Sequence, residues 1–198
     1  MSWFRRTPLA SARWVVIDCE TSGLDAARDD LLSVGAVVVR DGGVELREFF
    51  RAKVRQRTPS SHENILIHGI GGDAQRGGEP LAQVIDALAR FLGDGLPVGF
   101  HAPFDAAVLR RHGLRTRAKW LDLAALAPAL FPQKGRVDSP LEHWLAAFGI
   151  APRARHDALG DAFATAQLLL VVLAEARRQR VASVENLRQA ATSRFLRP

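Results

Sequence analysis

Asp18 and Glu20 stand two residues apart at the end of the apolar run Trp14-Val15-Val16-Ile17, and a turn follows at Gly23. The run is short and β-rich, so it reads as a buried strand whose alternation puts both acids on one face. Two carboxylates about 4 Å apart repel by on the order of 4 kcal/mol at an effective dielectric near 20. A divalent cation between them would turn that repulsion into binding; acids in a solvated loop beyond the strand would mean nothing. A third acid comes in His101-Ala102-Pro103-Phe104-Asp105, where Pro103 suits a first helical turn. There Asp105 either complements the helix dipole or joins the first two acids at the carboxyl end of the strands. The segment His156-Asp157-Ala158-Leu159-Gly160-Asp161 adds a histidine and a further acid. Positions 157 and 161 share a helix face, so His156 meets Asp161 only from a loop just before the helix, with Asp157 as N-cap. Carboxylate oxygens favour Mg²⁺ or Mn²⁺ over zinc. A histidine with an unperturbed pKa of about 6.5 can take a proton at neutral pH.

The elements that must position these residues follow from the hydrophobic pattern. After the Asp18 strand and a polar turn through Asp30, Leu31 to Arg40 reads as a second strand. Asp41-Gly42-Gly43 is a hairpin signal, and Val44 to Val54 reads as a third strand, making an antiparallel meander. Residues 56–79 read as loop. From Pro80, Leu81, Val84, Ile85, Leu88, Phe91 and Leu92 recur at helical spacing, and Leu96 to Phe100 forms a fourth strand. Strand, helix, strand in that order requires a parallel crossover. An apolar segment from Trp120 reads as helix; further helices run from Pro140 to Gly149, from the 156–161 segment to about Arg178, and from Ser183 to about Arg194. Cys19, between the two acids, faces the other side of its strand and reads as a small buried hydrophobe.

The bulk composition narrows the class. A chain of 198 residues, 47% hydrophobic, suits one compact domain. The expected organisation is an N-terminal arm over 1–12, a main domain over 13–180 and a C-terminal helical extension over 181–198. No uninterrupted apolar run of transmembrane length and no signal-peptide core is read, and one cysteine cannot make an internal disulfide, so a cytoplasmic, non-membrane protein is expected. The formal charge is +6, carried by arginine except at Lys53, Lys119 and Lys134, which suits a phosphate-bearing partner. The pairs Arg110-Arg111 and Arg177-Arg178 read as solvated helix faces, whereas Arg153 and Arg155 flank the His156 segment.

Taken together, Asp18-Cys19-Glu20-Thr21 with Gly23-Leu24, His101 through Asp105, and His156 through Asp161 resemble the three motifs of the DEDDh 3′–5′ exonucleases. This is the DnaQ-like family that includes the epsilon proofreading subunit of bacterial DNA polymerase III. Ile67-His68-Gly69-Ile70 is similar to a further motif of that family, and the resemblance covers about residues 13–175. His101 departs from it, standing where the family usually has asparagine. The resemblance implies an α/β, ribonuclease H-like fold: a mixed five-stranded sheet, antiparallel in its first three strands, then parallel crossovers, flanked by helices. It implies two Mg²⁺ or Mn²⁺ ions held by Asp18, Glu20, Asp105 and Asp161, with His156 as base. It further implies that Thr21, Leu24, His68 and Phe104 contact the terminal nucleotide. The expected reaction releases nucleoside 5′-monophosphates from single-stranded DNA 3′ ends, with a DNA polymerase subunit as a candidate partner. RNA 3′ ends are the alternative substrate, and a non-catalytic nucleic-acid or polymerase-binding module is the alternative role.

Overall fold

The structure, a computed structural model, describes residues 7–60, 65–66, 69–152 and 156–193. Three strands open it: β1 (Trp14–Thr21), β2 (Leu31–Arg40) and β3 (Gly43–Lys53). The β2–β3 hairpin turns through Asp41 and Gly42, both at positive φ (52° and 80°), which matches the right-handed strand twist. Then come α1 (Gly72–Arg76), α2 (Leu81–Leu92), β4 (Leu96–Gly99), α3 (Ala102–Arg111), β5 (Leu121–Asp122), α4 (Leu123–Leu130), α5 (Leu141–Ala147), α6 (Ala158–Arg178) and α7 (Val184–Ser193). The strands form one sheet in the order β3-β2-β1-β4-β5. β1, β2 and β3 pair antiparallel, and β4 and β5 add in parallel, so the expected mixed sheet is present.

Strand alternation divides the interior into two cores. Trp14, Val16, Val37 and Val39 face α4, α5, α6 and α7, while Val15, Ile17, Val34, Ala36 and Ala52 face α2 and α3. Asp18 and Glu20 share the parity of Trp14 and Val16, and Cys19 that of Val15 and Ile17, so the acids open on the α6 layer and the thiol on the α3 layer.

Three features depart from the sequence reading. Two residues of the segment from Trp120, Leu121 and Asp122, pair with Val98 and Gly99 as a strand before the helix begins, too few to show a period of two. The 56–79 loop contains α1, a single turn around the buried Gln75, whose amide bonds Ser60 and the Ile70 carbonyl. α6 has the length and composition of a membrane span, with no charge from Ala162 to Ala174, yet it lies on the sheet with Ala162, Ala166, Leu169, Val172 and Leu173 buried.

The segments read as arm and extension meet each other. Leu9 and Val184 donate to the carbonyls of Ala182 and Thr7, and Leu9, Val184 and Leu187 are all buried. β3 is an edge strand. Val37 pairs with Phe49 and Val38 with Glu45, so Leu46, Arg47 and Glu48 bulge out of the ladder between them.

Candidate active site

Asp18, Glu20 and Asp161 each present a carboxylate oxygen within 4.8 Å of the other two, at the carboxyl end of β1. At that spacing each pair of charges repels by about 3 kcal/mol at an effective dielectric near 20. An all-oxygen cluster of this charge fits a hard divalent cation. Asp161 is buried in the first turn of α6, and Asp18 and Glu20 are half-buried, so the cluster lies at the rim of the core.

Gly35 is what lets α6 come this close. It is the register partner of Asp18, and a Cβ there would stand 2.2 Å from the Leu159 amide nitrogen and 2.4 Å from the Ala158 carbonyl oxygen. An isolated glycine inside a strand pattern signals such a backbone approach and was there to be read. Asp157 caps the helix as expected: its carboxylate accepts from the Gly160 amide at 3.1 Å and from Arg51 of β3 at 2.8 Å. His156 stands on the loop just before it in the left-handed region (φ 56°), its side chain exposed. That backbone geometry aims its amide at Asp161, which accepts it at 3.0 Å. His156 and Asp161 therefore meet in the way their spacing required.

Asp105 reaches β1 from the other layer. Its carboxyl lies outside the three-acid cluster, buried against Cys19, with Gly99 leaving it room. Burial pushes its pKa up to about 7, while hydrogen bonding from the Cys19 thiol and amide pulls the other way. Cys19 is itself half-buried rather than fully enclosed; burial first, and then the charges of Asp105 and Asp18, push its thiol up, which keeps it protonated and unreactive.

Asp122 is a residue that the sequence reading passed over. It sits at the end of β5 and caps α4, one carboxylate oxygen accepting from the amides of Ala102 (3.2 Å) and Ala124 (3.1 Å). It thereby fixes the start of α3, the helix that carries Asp105. Its pKa is raised by burial, against the pull of those two amides. An acid immediately before Leu123-Ala124-Ala125-Leu126 is a cap signal, obscured here by the strand it also ends.

The remaining expected residues are dispersed around this rim. The Thr21 hydroxyl donates to the Gly23 carbonyl at 2.6 Å; Leu24 is 93% exposed in the following turn; Phe104 packs half-buried on the α3 side. The turn holding Leu24 is clamped by Arg111, which donates to the carbonyls of Ala27 (2.9 Å) and Asp29. Arg111 is thus bonded across to a loop, not a solvated face as its sequence context suggested. His68, Arg153 and Arg155 lie outside the described residues.

Comparison with known proteins agrees with this architecture. The RNase T family model, described as exonuclease, matches residues 15–169. A DNA polymerase III PolC-type protein of Thermotoga petrophila is 27% identical over 95% of this chain, which spans 14% of that protein. A DNA polymerase III subunit epsilon-like protein of Rhodobacter capsulatus is 31% identical over 84% of this chain and 24% of its own length. Among solved structures, exonuclease X in complex with 5′-overhanging duplex DNA superposes with a TM-score of 0.72 at 22% identity, covering 90% of this chain and 99% of that one. E. coli exonuclease I in complex with a dT13 oligonucleotide gives 0.70 at 22% identity, over 85% of this chain and 42% of the other. The match extends from β1 to the middle of α6 and so takes in every acid of the site: the chain belongs to the exonuclease family, of the DnaQ-like type that its motifs resemble.

Proposed function

We propose that this protein is a metal-dependent 3′–5′ exonuclease that releases nucleoside 5′-monophosphates from single-stranded DNA ends. The observation that carries the reading is the convergence of Asp18, Glu20 and Asp161 beside the loop that presents His156. DNA is favoured over RNA because the relatives named above are DNA polymerase III proteins and the two solved structures named above are complexes with DNA.

In this reading Asp18, Glu20 and Asp161 would hold divalent cations, Mg²⁺ or Mn²⁺; Asp105, which lies outside that cluster against Cys19, is the fourth ligand that the resemblance of the motifs implies. Bound there, such ions supply a more acidic water and a counter-charge for the leaving 3′ oxygen. His156 takes the proton of the attacking water at an imidazole nitrogen, its exposed ring being open to solvent and to a strand end. The His156 amide bonded to Asp161 keeps the base and the buried acid in fixed relation. Leu24 offers an apolar surface to the terminal base, with Thr21 at the root of its turn; contacts of Phe104 and His68 with the same nucleotide are what the resemblance implies.

The test is a time course on 5′-labelled single- and double-stranded DNA and RNA of matched sequence, with Mg²⁺ or Mn²⁺. A ladder shortening from the 3′ end of the DNA, at least 100-fold slower in His156→Ala and Asp18→Ala, is the expected result. Undiminished cleavage in either folded variant overturns the site assignment, and faster RNA than DNA cleavage overturns the substrate.

A further inference from the structure

The sheet register arranges charge in two rows. Asp18 pairs with Gly35, which pairs with Arg51; Glu20 pairs with Ser33, which pairs with Lys53. Register partners share a face, and the buried Ala52 between the two cations points into the α2–α3 core, so Arg51 and Lys53 face the acid side. Each row therefore reads acid, small residue, cation across β1, β2 and β3. With strands about 4.8 Å apart, each cation's Cα is about 10 Å from that of its acid. A cleft of about 250 Å³ lies beside the cations, lined by Ser33, Arg51, Lys53, Gly69 and His156 among others.

The two cations are differently engaged. Arg51 is held by Asp157 at the head of α6. Lys53 is half-buried, and no carboxylate among the described residues pairs with it. A cation set back from the acids on the same face of the sheet would meet a phosphate other than the scissile one. The released nucleotide carries a single phosphate, the one attacked at the acids. Any further phosphate within reach belongs to the strand that remains.

We propose that Lys53 binds the phosphate immediately 5′ of the scissile one, so that the retained strand leaves the acids across Gly35 and Ser33 towards β3. This rests on the exonuclease reading and adds the path of the substrate. It makes Lys53 a positioning residue for polymeric substrates.

The experiment compares Lys53→Met, which keeps the apolar stem, and Lys53→Arg with the native protein on two substrates. One is a single-stranded DNA oligonucleotide. The other is the p-nitrophenyl ester of thymidine 5′-monophosphate, which has only the scissile phosphate. Lys53→Met is expected to raise KM for the oligonucleotide roughly tenfold with kcat retained, to act on the ester like the native protein, and to be rescued by Lys53→Arg. In EDTA, anisotropy of a labelled oligonucleotide should show the slope of log K against log salt falling by about 0.7, the loss of one phosphate contact. An unchanged oligonucleotide KM and salt slope overturns the proposal, and so does equal slowing on both substrates. If the native protein cleaves neither substrate, the exonuclease reading fails, and the salt slope in EDTA still decides whether Lys53 binds phosphate.

Discussion

Gly35 and Leu159 touch backbone to backbone: a side-chain carbon on the one would lie 2.2 Å from the amide nitrogen of the other. This contact seats the head of α6 on β2 directly across from Asp18. Gly35→Ala must therefore lift the helix and carry Asp161 away from its two partners. Overpacking of this kind costs about 1–3 kcal/mol, and the loss should be seen in urea unfolding. The sharper readout is calorimetric: Mn²⁺ affinity should fall by at least tenfold, and native affinity in this variant would show that the helix seat does not set the acid cluster.

Asp105 gives the metal-free protein a pH signature. Its carboxyl is pushed up to about 7 in the fold, whereas an unfolded aspartate titrates near 3.9. Between those values the folded state keeps a proton that the unfolded chain releases. The stability it contributes is complete below pH ~4 and is lost as pH rises through about 7. Asp105→Asn, neutral at every pH, should match the native protein near pH 4 and exceed it by a few kcal/mol at pH 8.5 in EDTA. A gap that does not widen with pH in urea titrations would mean that this carboxyl ionises normally.

Asp157 and Asp161 lie one helical turn apart and should separate cleanly. Asp157→Ala removes a cap and the Arg51 pair, so it should cost about 1 kcal/mol. It should keep hydrolysis within about tenfold, whereas Asp161→Ala should lose at least 100-fold. Equal activity losses from the two substitutions, measured at saturating Mn²⁺, would contradict the division of roles.

Asp122 tests whether the start of α3 is held from β5. Asp122→Ala leaves the Ala102 and Ala124 amides without their acceptor and should destabilise by about 1–2 kcal/mol. Asp122→Asn retains an accepting oxygen and should recover most of the stability. If both variants unfold alike in denaturant, the negative charge matters more than the bridge.

Much of this site was legible because its parts are local. The acid pair lies on one strand face by alternation, and the His156 loop with its Asp157 cap follows from a spacing of four. Asp105 was expected at the same sheet edge as Asp18 and Glu20; its approach from the opposite layer, against Cys19 and outside their cluster, depends on how α3 crosses β4. Gly35, Asp122 and Arg111 were missed for a common reason. Each acts on a partner brought near by tertiary packing: Leu159 and Ala102 across the sheet, Ala27 and Asp29 across a loop. The rows ending in Arg51 and Lys53 required the register, and a hydrophobic pattern alone does not count residues across a bulge.

The bulge of Leu46, Arg47 and Glu48 bears on more than register. β3 is an edge strand, covered among the described residues only where the Lys53 carbonyl accepts from Glu79, with Leu46 in the bulge and Phe49 after it largely exposed. An apolar, unbroken edge of such length would offer its free amides and carbonyls to another chain. Here the interruption, with the charges of Arg47, Arg51 and Lys53, blunts it. Lys53, proposed to meet a phosphate of the substrate, thus also helps with its neighbouring cations to guard the chain against edge-to-edge pairing. Replacing Arg51 and Lys53 together by valine should show first as precipitation at high protein concentration, before any change in the fold.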